Sequence, residues 1–258
     1  MQWDPAKYIH FGDYRQRPFF DLTGRIEATA PREIVDLGCG PGNLTATLAA
    51  RWPGARVIGL DSSADMLAEA EALAQEAPRL EFRLGDIASW APSPETDVVV
   101  SNAALQWVPG HQEMLSRWLK ELTPGAWFAL QVPGNFTSAS HTLMREVAES
   151  GAWAAKLGGV LRHDDAVASP ARYLEIMLDA GCAADAWETT YQQVLPGENA
   201  VLEWVRGAGL RPVLAALSPE DAAAFEAEYA VRLAEAYPAS EYGTVYPFRR
   251  IFAVARKL

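Results

Sequence analysis

The chain has 258 residues, 50% of them hydrophobic and 21% charged, and this balance excludes long disorder, collagen and coiled-coil architectures. Acidic residues outnumber basic ones by 33 to 22, and the formal charge of −11 disfavours broad binding to nucleic-acid backbones. This charge does not exclude a small anionic substrate, because a local arginine pocket can override a distant acidic surface in salt.

The sequence contains no stretch of about 18–20 uninterrupted apolar residues, the length that a membrane-spanning helix needs. Its first residues lack the basic-then-apolar order of a secretory signal. Two cysteines, Cys39 and Cys182, are too few to suggest a disulfide framework in a chain of this length. We therefore expect a cytoplasmic protein with no membrane partner, as a monomer or weak dimer.

Residues 1–30 carry many aromatic and basic side chains, and we expect them to form an N-terminal cap with an amphipathic helix at 18–29. We also consider that residues 1–20 order over a bound cofactor as a lid. Strand and helix patterns then alternate. Strands are predicted at 34–37, 56–60, 80–84, 97–101 and 126–132, and helices at 43–51, 63–77 and 111–122. This alternation predicts a doubly wound, mostly parallel α/β sheet with helices on both faces.

The rhythm changes after Pro133. Helices are predicted at 139–157, 170–180, 198–206 and 219–236, and strands at 187–195 and 248–255. We interpret the two late strands as one edge hairpin interrupted by a helical insertion. The predicted organisation is a single domain, 1–258, which contains the cap, a cofactor-binding core at 32–132, helical insertions around a late strand at 134–247 and a last strand at 248–258.

A glycine-rich string, V-D-L-G-C-G-P-G, runs from Val35 to Gly42 and joins a predicted strand to a predicted helix. Glycine lets the backbone turn sharply and lets a ligand approach the main chain. The spacing is G-x-G-x-G, which differs from the G-x-G-x-x-G of dinucleotide-binding folds. The loop holds an aspartate, Asp36, and no basic residue, which favours a cationic ligand over the phosphates of NAD or ATP. A tight turn without a ligand is the plainer alternative.

Polar side chains stand at the ends of the following strands. Asp61 ends the second strand, Asp86 follows the third with Ile87 beside it, and Asn102 ends the fourth. One such aspartate usually caps a helix or a turn. Together they lie at the carboxyl edge of the sheet, where folds of this kind bind ligands, so we expect a ligand site there.

This constellation resembles the class I S-adenosylmethionine-dependent methyltransferases over about residues 32–132. The resemblance implies a seven-stranded sheet in which strand 7 lies antiparallel between strands 5 and 6. It also implies a cofactor site in which glycines and Asp36 lie near the methionine part, Asp61 binds the ribose, Asp86 and Ile87 contact the adenine, and Asn102 lies below the methionine. The predicted cofactor-binding residues are Asp36, Gly38, Gly40, Gly42, Asp61, Ser62, Asp86, Ile87 and Asn102.

Three further strings resemble the trans-aconitate methyltransferase family: W-D-P-A-K-Y from Trp3, L-Q-W-V from Leu105 and V-Y-P-F-R-R from Val245. The resemblance implies methyl transfer from S-adenosylmethionine to a carboxylate of trans-aconitate, giving a monomethyl ester. A carboxylate is ionised at pH 7 and attacks without a general base, so catalysis is expected from positioning, with no certain catalytic residue.

Arginines are the natural clamps for the remaining carboxylates, with aromatic and amide groups as further donors. The candidate substrate-binding residues are Tyr8, Tyr14, Arg15, Arg17, Gln106, Trp107, Tyr246 and Arg249. Each arginine could instead be a solvated surface charge paired with an acidic residue, and this alternative is stronger for Arg250. The four histidines, His10, His111, His141 and His163, show no metal-ligand spacing, so no metal is predicted.

Other acceptors stay open at this stage. A malonyl-carrier-protein carboxylate would favour a basic docking face, and a quinone ring would favour an apolar tunnel. Such a tunnel could be lined by Trp153, Leu157, Trp204 and Phe225, although core packing of the inserted helices is the plainer interpretation. A protein that binds S-adenosylmethionine without catalysis is the alternative of another class. The Asn-Pro-Pro-Tyr or Asp-Pro-Pro-Tyr motif of related adenine and glutamine N-methyltransferases is absent after the fourth strand.

Overall fold

A computed structural model describes residues 12–161 and 166–258. The chain divides into two compact units. The first unit comprises Met1–Val132, Val167–Glu188 and Ile251–Leu258, and the second comprises Pro133–Ala166 and Thr189–Arg250. Each unit is described by itself below.

The described strands form one mostly parallel sheet. They are β1 (Glu33–Leu37), β2 (Arg56–Asp61), β3 (Leu80–Leu84), β4 (Thr96–Asn102), β5 (Trp127–Pro133), β6 (Cys182–Leu195), β7 (Ala239–Ser240) and β8 (Gly243–Lys257). Their order is β3-β2-β1-β4-β5-β8-β6, and the two-residue β7 pairs with β8. Neighbours among the first five strands are parallel. Backbone bonds run from the Gly125 N–H to the Lys257 carbonyl and from the Gly134 N–H to the Arg249 carbonyl, so β8 is antiparallel to β5. The predicted doubly wound sheet, with an antiparallel strand near one edge, is confirmed.

The described α-helices follow the strands closely. They are α1 (Gly12–Thr23), α2 (Asn43–Arg51), α3 (Ala64–Glu76), α4 (His111–Glu121), α5 (Ala139–Glu149), α6 (Ala154–Leu157), α7 (Pro170–Asp179), α8 (Ala200–Arg206), α9 (Arg211–Ala216) and α10 (Pro219–Ala236). Serine side chains cap three of them: Ser63 accepts from the Met66 N–H, and Ser169 and Ser218 do the same for α7 and α10. None of the helices in the described ranges is long and apolar enough to cross a membrane.

Two helix predictions were wrong. The first helix is Gly12–Thr23 and not 18–29, because the chain turns at Gly24, whose N–H donates to the Phe20 carbonyl. The long helix expected at 139–157 is two helices, because Ser150 is extended and Gly151 adopts a φ of +36° between them. Residues with good helix propensity continue after the break, as in the A-A-K-L of α6, so a periodicity argument does not detect it.

The two late strands are longer than the sequence predicted, and helix α9 was not predicted at all. In the first unit, the Trp187 ring of β6 stacks on the Phe252 ring of β8 at 4.9 Å with an angle of 4° between the planes. This contact places the two residues opposite each other on neighbouring strands. Buried and exposed residues alternate along 191–195 of β6 and 244–248 of β8, as expected for a sheet with one covered face.

The core of the first unit is built around the central strands. Val99 and Phe128 are fully buried there, and the Trp118 ring of α4 stacks on Phe128 at 6.0 Å. The indole N–H of Trp118 donates to the Trp90 carbonyl, so the buried tryptophan is satisfied. Continuous β-branched strands of this kind are buried on both faces, which leaves the strand ends as the place for polar function.

Candidate functional site

The glycine loop joins β1 to α2 and is fixed by its own backbone. The N–H groups of Gly38 and Cys39 donate to the Leu60 carbonyl on β2, at 2.8 and 3.1 Å. Gly38, Gly40 and Gly42 have φ values of +82°, +57° and +77°, a region that side-chain-bearing residues rarely adopt. The loop is therefore a preformed turn at the carboxyl edge of the sheet.

The three glycines differ in what surrounds them. A Cβ atom on Gly38 would lie 2.2 Å from the Ala104 Cβ, and one on Gly42 would lie 2.5 Å from the Phe82 ring. A Cβ atom on Gly40 would meet no described atom within 4 Å. Gly38 and Gly42 thus permit close packing inside the protein, whereas the backbone at Gly40 borders open space where a ligand can approach.

Asp36 lies beneath this loop and is 3% exposed. Its Oδ2 atom accepts a hydrogen bond of 2.6 Å from the Thr45 hydroxyl on α2. Burial raises the pKa of Asp36 to about 7, the Thr45 hydrogen bond lowers it in part, and the nearby Asp61 carboxylate raises it further. The buried carboxyl group is therefore protonated more readily than an exposed aspartate.

Asp61, at the end of β2, has both carboxylate oxygens in use. Oδ2 accepts from the Gly40 N–H at 2.8 Å and Oδ1 accepts from the Ser63 N–H at 2.9 Å. Each oxygen keeps a further lone pair, so the group can accept a ligand hydroxyl as well. Ser62 is exposed beside it. The turn-residue interpretation of Asp61 and the ribose-binding one are thus compatible.

Asp86 and Ile87 follow β3. Asp86 is exposed, and its Oδ1 atom accepts from the Ala88 N–H at 2.9 Å, which caps the short 3₁₀ turn Ile87–Ser89. Ile87 is 8% exposed, and its Cδ1 atom lies 3.5 Å from the position a Cβ on Gly38 would take. The structure therefore brings Ile87 against the glycine loop, and its contact with the adenine stays a prediction.

Asn102 ends β4, and its buried Oδ1 atom accepts no hydrogen bond from any residue that the structure describes. The next residue, Ala103, has a φ of +55°, which is strained for a residue with a Cβ atom. Ala103 was not predicted as part of the site, because alanine gives no signal in the sequence for this conformation. An orphaned acceptor beside a strained turn makes this strand end a candidate ligand site, because such features cluster at functional sites.

Gln106 and Trp107 lie in the 3₁₀ turn Leu105–Trp107. Gln106 is 7% exposed, and its Nε2 atom donates to the Ala103 carbonyl at 2.6 Å. This bond stabilises the strained turn. One of the N–H donors that the sequence analysis assigned to the substrate is therefore used within the protein. Trp107 is half-buried.

The N-terminal candidates are only partly described. Tyr8 and His10, and residues 1–11 as a whole, lie outside the described residues, as does His163, and the side chain of Arg15 is not described. Tyr14 is half-buried. Arg17 has a side chain 71% exposed and lies 3.7 Å from Asp21, one helical turn further along α1. This contact agrees with the surface-charge interpretation of Arg17.

Tyr246, in the second unit, is fully buried, and its hydroxyl lies 3.0 Å from the Ser140 Oγ atom. Burial raises the pKa of Tyr246 above its usual range, so the phenol stays protonated. The Ser140 Oγ atom also lies 3.1 Å from the Nδ1 atom of His141, whose pKa burial lowers to about 4. At neutral pH this group consists of uncharged hydrogen-bonding side chains.

The two arginines after Tyr246 are placed differently. Arg249 is half-buried; its backbone N–H donates to the Asn135 Oδ1 atom at 2.7 Å and its guanidinium donates to the Gly134 carbonyl at 3.2 Å. Arg250 is 5% exposed, and its guanidinium lies over the Phe248 ring at 4.3 Å. Sequence analysis preferred Arg249 to Arg250, yet the structure buries Arg250 more deeply. Alternation along a β8 strand that begins at Gly243 would have indicated this.

The apolar residues considered for a quinone tunnel form part of the second unit's core. Trp153, Leu157, Trp204 and Phe225 are all less than 9% exposed. The Trp153 and Phe225 rings meet edge to face at 5.6 Å, and the Trp153 N–H donates to Glu228. This arrangement agrees with the core-packing interpretation. Within the described ranges, no cluster of histidine, cysteine, aspartate and glutamate suited to a metal ion was found.

The arrangement in the first unit fits S-adenosylmethionine. Open space at Gly40 and an orphaned acceptor at Asn102 suit a ligand that carries an amine, and the Asp36 and Asp61 carboxyls suit its positive charge. A family model described as a methyltransferase domain matches residues 34–125. Geranyl diphosphate C-methyltransferase of Streptomyces coelicolor aligns with a TM-score of 0.55 and 13% identity, over 98% of this chain and 82% of that one, which shows the fold alone. Fold and site thus define a class I methyltransferase.

Two similar proteins of known name identify the family within this class. The chain is 55% identical to a Streptomyces avermitilis protein, over 99% of this chain and 97% of that one. It is 54% identical to a Streptomyces coelicolor protein, over 99% and 86%. Both relatives are named trans-aconitate 2-methyltransferase. The chain therefore belongs to the trans-aconitate 2-methyltransferase family of S-adenosylmethionine-dependent methyltransferases.

Proposed function

We propose that this protein transfers the methyl group of S-adenosylmethionine to a carboxylate of trans-aconitate and releases the monomethyl ester. The observation that carries the proposal is the 55% identity to a relative of that name, because it extends over 99% of the chain and so includes both units. Sequence identity limited to the cofactor-binding strands would support methyl transfer but not the choice of acceptor.

The first unit's residues hold the cofactor in this proposal. When bound, S-adenosylmethionine supplies an electrophilic methyl group on a sulfonium sulfur. Asp61 accepts the ribose hydroxyls, Asp86 and Ile87 contact the adenine, Asn102 accepts from the amine through its Oδ1 atom, and the backbone at Gly40 borders the methionine part. Asp36 contributes negative charge beneath the loop.

In this proposal the protein binds and orients the acceptor and does not have to activate it chemically. Its carboxylates are ionised at pH 7, so no protein group has to remove a proton, and the neutral state of His141 causes no loss. Arg249 and Arg250 supply the positive charge of the second unit, with the Tyr246 hydroxyl as a neutral donor. The sequence-based candidates Tyr8, Tyr14, Arg15, Arg17, Gln106 and Trp107 stay part of this proposal.

The proposal also includes a cytoplasmic monomer or weak dimer without a nucleic-acid partner. The formal charge of −11, which repels phosphate backbones, supports the absence of a nucleic-acid partner. The same charge disfavours an acidic carrier protein as the acceptor, since such a partner would favour a basic docking face.

A turnover assay tests the function. The protein is incubated with S-adenosylmethionine labelled in its methyl group and, separately, with trans-aconitate, cis-aconitate, citrate, malonate, a malonyl-carrier protein and a quinone. We expect the highest kcat/KM with trans-aconitate and a methyl ester as the product. Higher kcat/KM with any other acceptor, or no turnover at all, would overturn the proposal.

An arginine substitution tests how the acceptor is held. Arg249→Ala should lower kcat/KM for trans-aconitate, with a loss of transition-state stabilisation of about 2–4 kcal/mol. The affinity for S-adenosylmethionine should stay nearly unchanged. Arg249→Lys should not restore activity, because an ammonium lacks the planar fork. Arg172→Ala, which removes an exposed arginine on α7, is the matched control, and melting temperatures separate loss of binding from loss of fold. Full activity of Arg249→Lys would contradict bidentate binding.

A further inference from the structure

Gln193 is a buried amide that no described residue satisfies. Its side chain lies on β6 in the second unit and is 1% exposed. Neither Oε1 nor Nε2 forms a hydrogen bond to any residue in the described ranges. Leaving a buried polar atom unsatisfied costs about 1–3 kcal/mol, and native proteins rarely keep two such atoms on one side chain without a use for them.

The strand register places this amide beside Tyr246. Trp187 lies opposite Phe252, and moving six residues along each antiparallel strand brings Gln193 opposite Tyr246. Burial agrees with this register, because Tyr191, Gln193 and Leu195 alternate with exposed neighbours on β6 as Thr244, Tyr246 and Phe248 do on β8. The far end of the strand pair agrees as well, since a Cβ on Gly243 would lie 2.7 Å from the Leu195 carbonyl oxygen.

Helices cover this face of the second unit. The Trp204 ring of α8 lies 6.1 Å from the Tyr246 ring and 5.4 Å from the Phe248 ring. The Tyr246 hydroxyl lies against Ser140 on α5. Gln193 therefore shares a covered face, where an unsatisfied amide cannot be compensated by bulk solvent.

The same face of β8 carries a cation. Arg250 follows Tyr246 and Phe248 at the alternating positions of the strand, and its charge lowers the pKa of Tyr246 against the larger opposing effect of burial. An amide N–H₂, a phenol and a guanidinium are all hydrogen-bond donors. Donors of this kind around a positive charge form the set that recognises a carboxylate.

We propose that Gln193 binds a carboxylate of the acceptor through its Nε2 atom and helps to select small polycarboxylates. This inference rests on the proposed function and adds a residue to it. A neutral amide suits the task, because it orients a carboxylate without adding a second full charge to the strand face that carries Arg250. The unsatisfied state of the amide in the free protein is then the cost of a site that its substrate completes.

Gln193→Met is the decisive variant, because methionine has a similar length and volume and removes both polar atoms. We expect KM for trans-aconitate to rise about tenfold, the usual consequence of losing one hydrogen bond to a charged group, with the Kd for S-adenosylmethionine changed less than twofold. The melting temperature of the free protein should stay the same or rise, because an unsatisfied buried group is removed. Gln193→Glu should raise KM further, because it places a negative charge against the substrate.

Gln192→Met is the matched control. Gln192 is the adjacent residue, is exposed, and points to the opposite face of the strand, so its substitution should leave KM and melting temperature unchanged. Gln193→Leu is a second variant, so that the test does not depend on one replacement packing well.

The outcomes separate this inference from the proposed function. Wild-type turnover across the panel of acceptors decides the function, whereas the ratio of KM between variant and wild type, with the best acceptor, decides the role of Gln193. A KM within twofold of wild type in both Gln193→Met and Gln193→Leu would overturn the inference and leave the function standing. Loss of several degrees of melting temperature in both variants would show that the amide is held by the protein, and would overturn it as well.

Discussion

The glycine loop of the first unit and the covered strand face of the second unit carry opposite charge. The loop gathers Asp36 and Asp61. The strand face holds Arg250 with neutral donors around Tyr246. In the proposed reaction, a cation donates the methyl group and an anion receives it, so each region has the charge that complements its own ligand.

The two regions also differ in how well their polar groups are satisfied. Asp61 is bonded to two backbone N–H groups and Asp36 to a hydroxyl before any ligand arrives. Gln193 has no such partner among the described residues. Substitution of Asp61 should therefore change stability and binding together, whereas substitution of Gln193 on the strand face should separate them.

The largest expected effect sharpens this comparison within the loop itself. Gly42→Ala should lower the free energy of unfolding by about 2–5 kcal/mol, because it forces a Cβ into a positive-φ position and against the Phe82 ring and the Ala70 Cβ. Gly40→Ala should cost only about 1–2 kcal/mol, because its Cβ meets open space. The affinity for S-adenosylmethionine should nevertheless fall at least about tenfold in Gly40→Ala, because the methyl group occupies the ligand's approach path.

Thermal unfolding and calorimetry on both variants check this prediction. Equal losses of stability at the two glycines would contradict the division into one packing glycine and one ligand-facing glycine. Wild-type cofactor affinity in a folded Gly40→Ala protein would show that the open space at Gly40 is not used.

The next effect concerns Asp61. Asp61→Ala should weaken binding of S-adenosylmethionine by about 1–3 kcal/mol, because charge-assisted hydrogen bonds to the ribose are lost. It should also lower the melting temperature, because the Gly40 and Ser63 N–H groups lose their acceptor. Asp65→Ala, an exposed carboxylate in the first turn of α3, is the control. Unchanged affinity in a folded Asp61→Ala protein would overturn the ribose assignment.

Much of the fold could be predicted from the sequence, because local signals and tertiary packing agree in the first unit. β3 and α2 have the predicted bounds, and the helix predicted at 63–77 is Ala64–Glu76. The errors fall where one residue's backbone angle decides the outcome. Gly151 breaks a helix that composition alone would continue, and the turn at Gly24 ends α1 halfway along the helix expected at 18–29.

The residues of the candidate site also divide into those that the sequence predicts and those that it does not. Polar residues at strand ends are visible in a sequence, because the strands that position them are visible. The strain at Ala103 is not, because it arises from the turn that Gln106 braces. Gln193 gave a readable signal, an amide at an inward position between Tyr191 and Leu195 on a predicted strand, but only its unsatisfied atoms in the structure suggest a ligand.

The smallest expected effect is a pH dependence that originates at Asp36. Its pKa is about 7 in the folded protein, because burial disfavours the charged form, and about 3.9 in an unfolded chain. The neutral, buried carboxyl therefore stabilises the fold fully below pH 3.9, and this contribution is lost as the pH rises through about 7. Linkage gives a loss on the order of 1 kcal/mol between pH 6 and pH 7.5 for the protein without cofactor.

Asp36→Asn isolates this contribution, because the amide oxygen can still accept from the Thr45 hydroxyl and no longer ionises. Melting temperatures of wild type and variant, measured from pH 5 to pH 8, should diverge with rising pH in favour of the variant. A saturating amount of S-adenosylmethionine should reduce the pH dependence of the wild type, since a nearby positive charge lowers the pKa of Asp36 and favours the ionised form that burial disfavours. A constant difference between the two proteins across this range would mean that Asp36 does not titrate there and is not the source of the pH dependence.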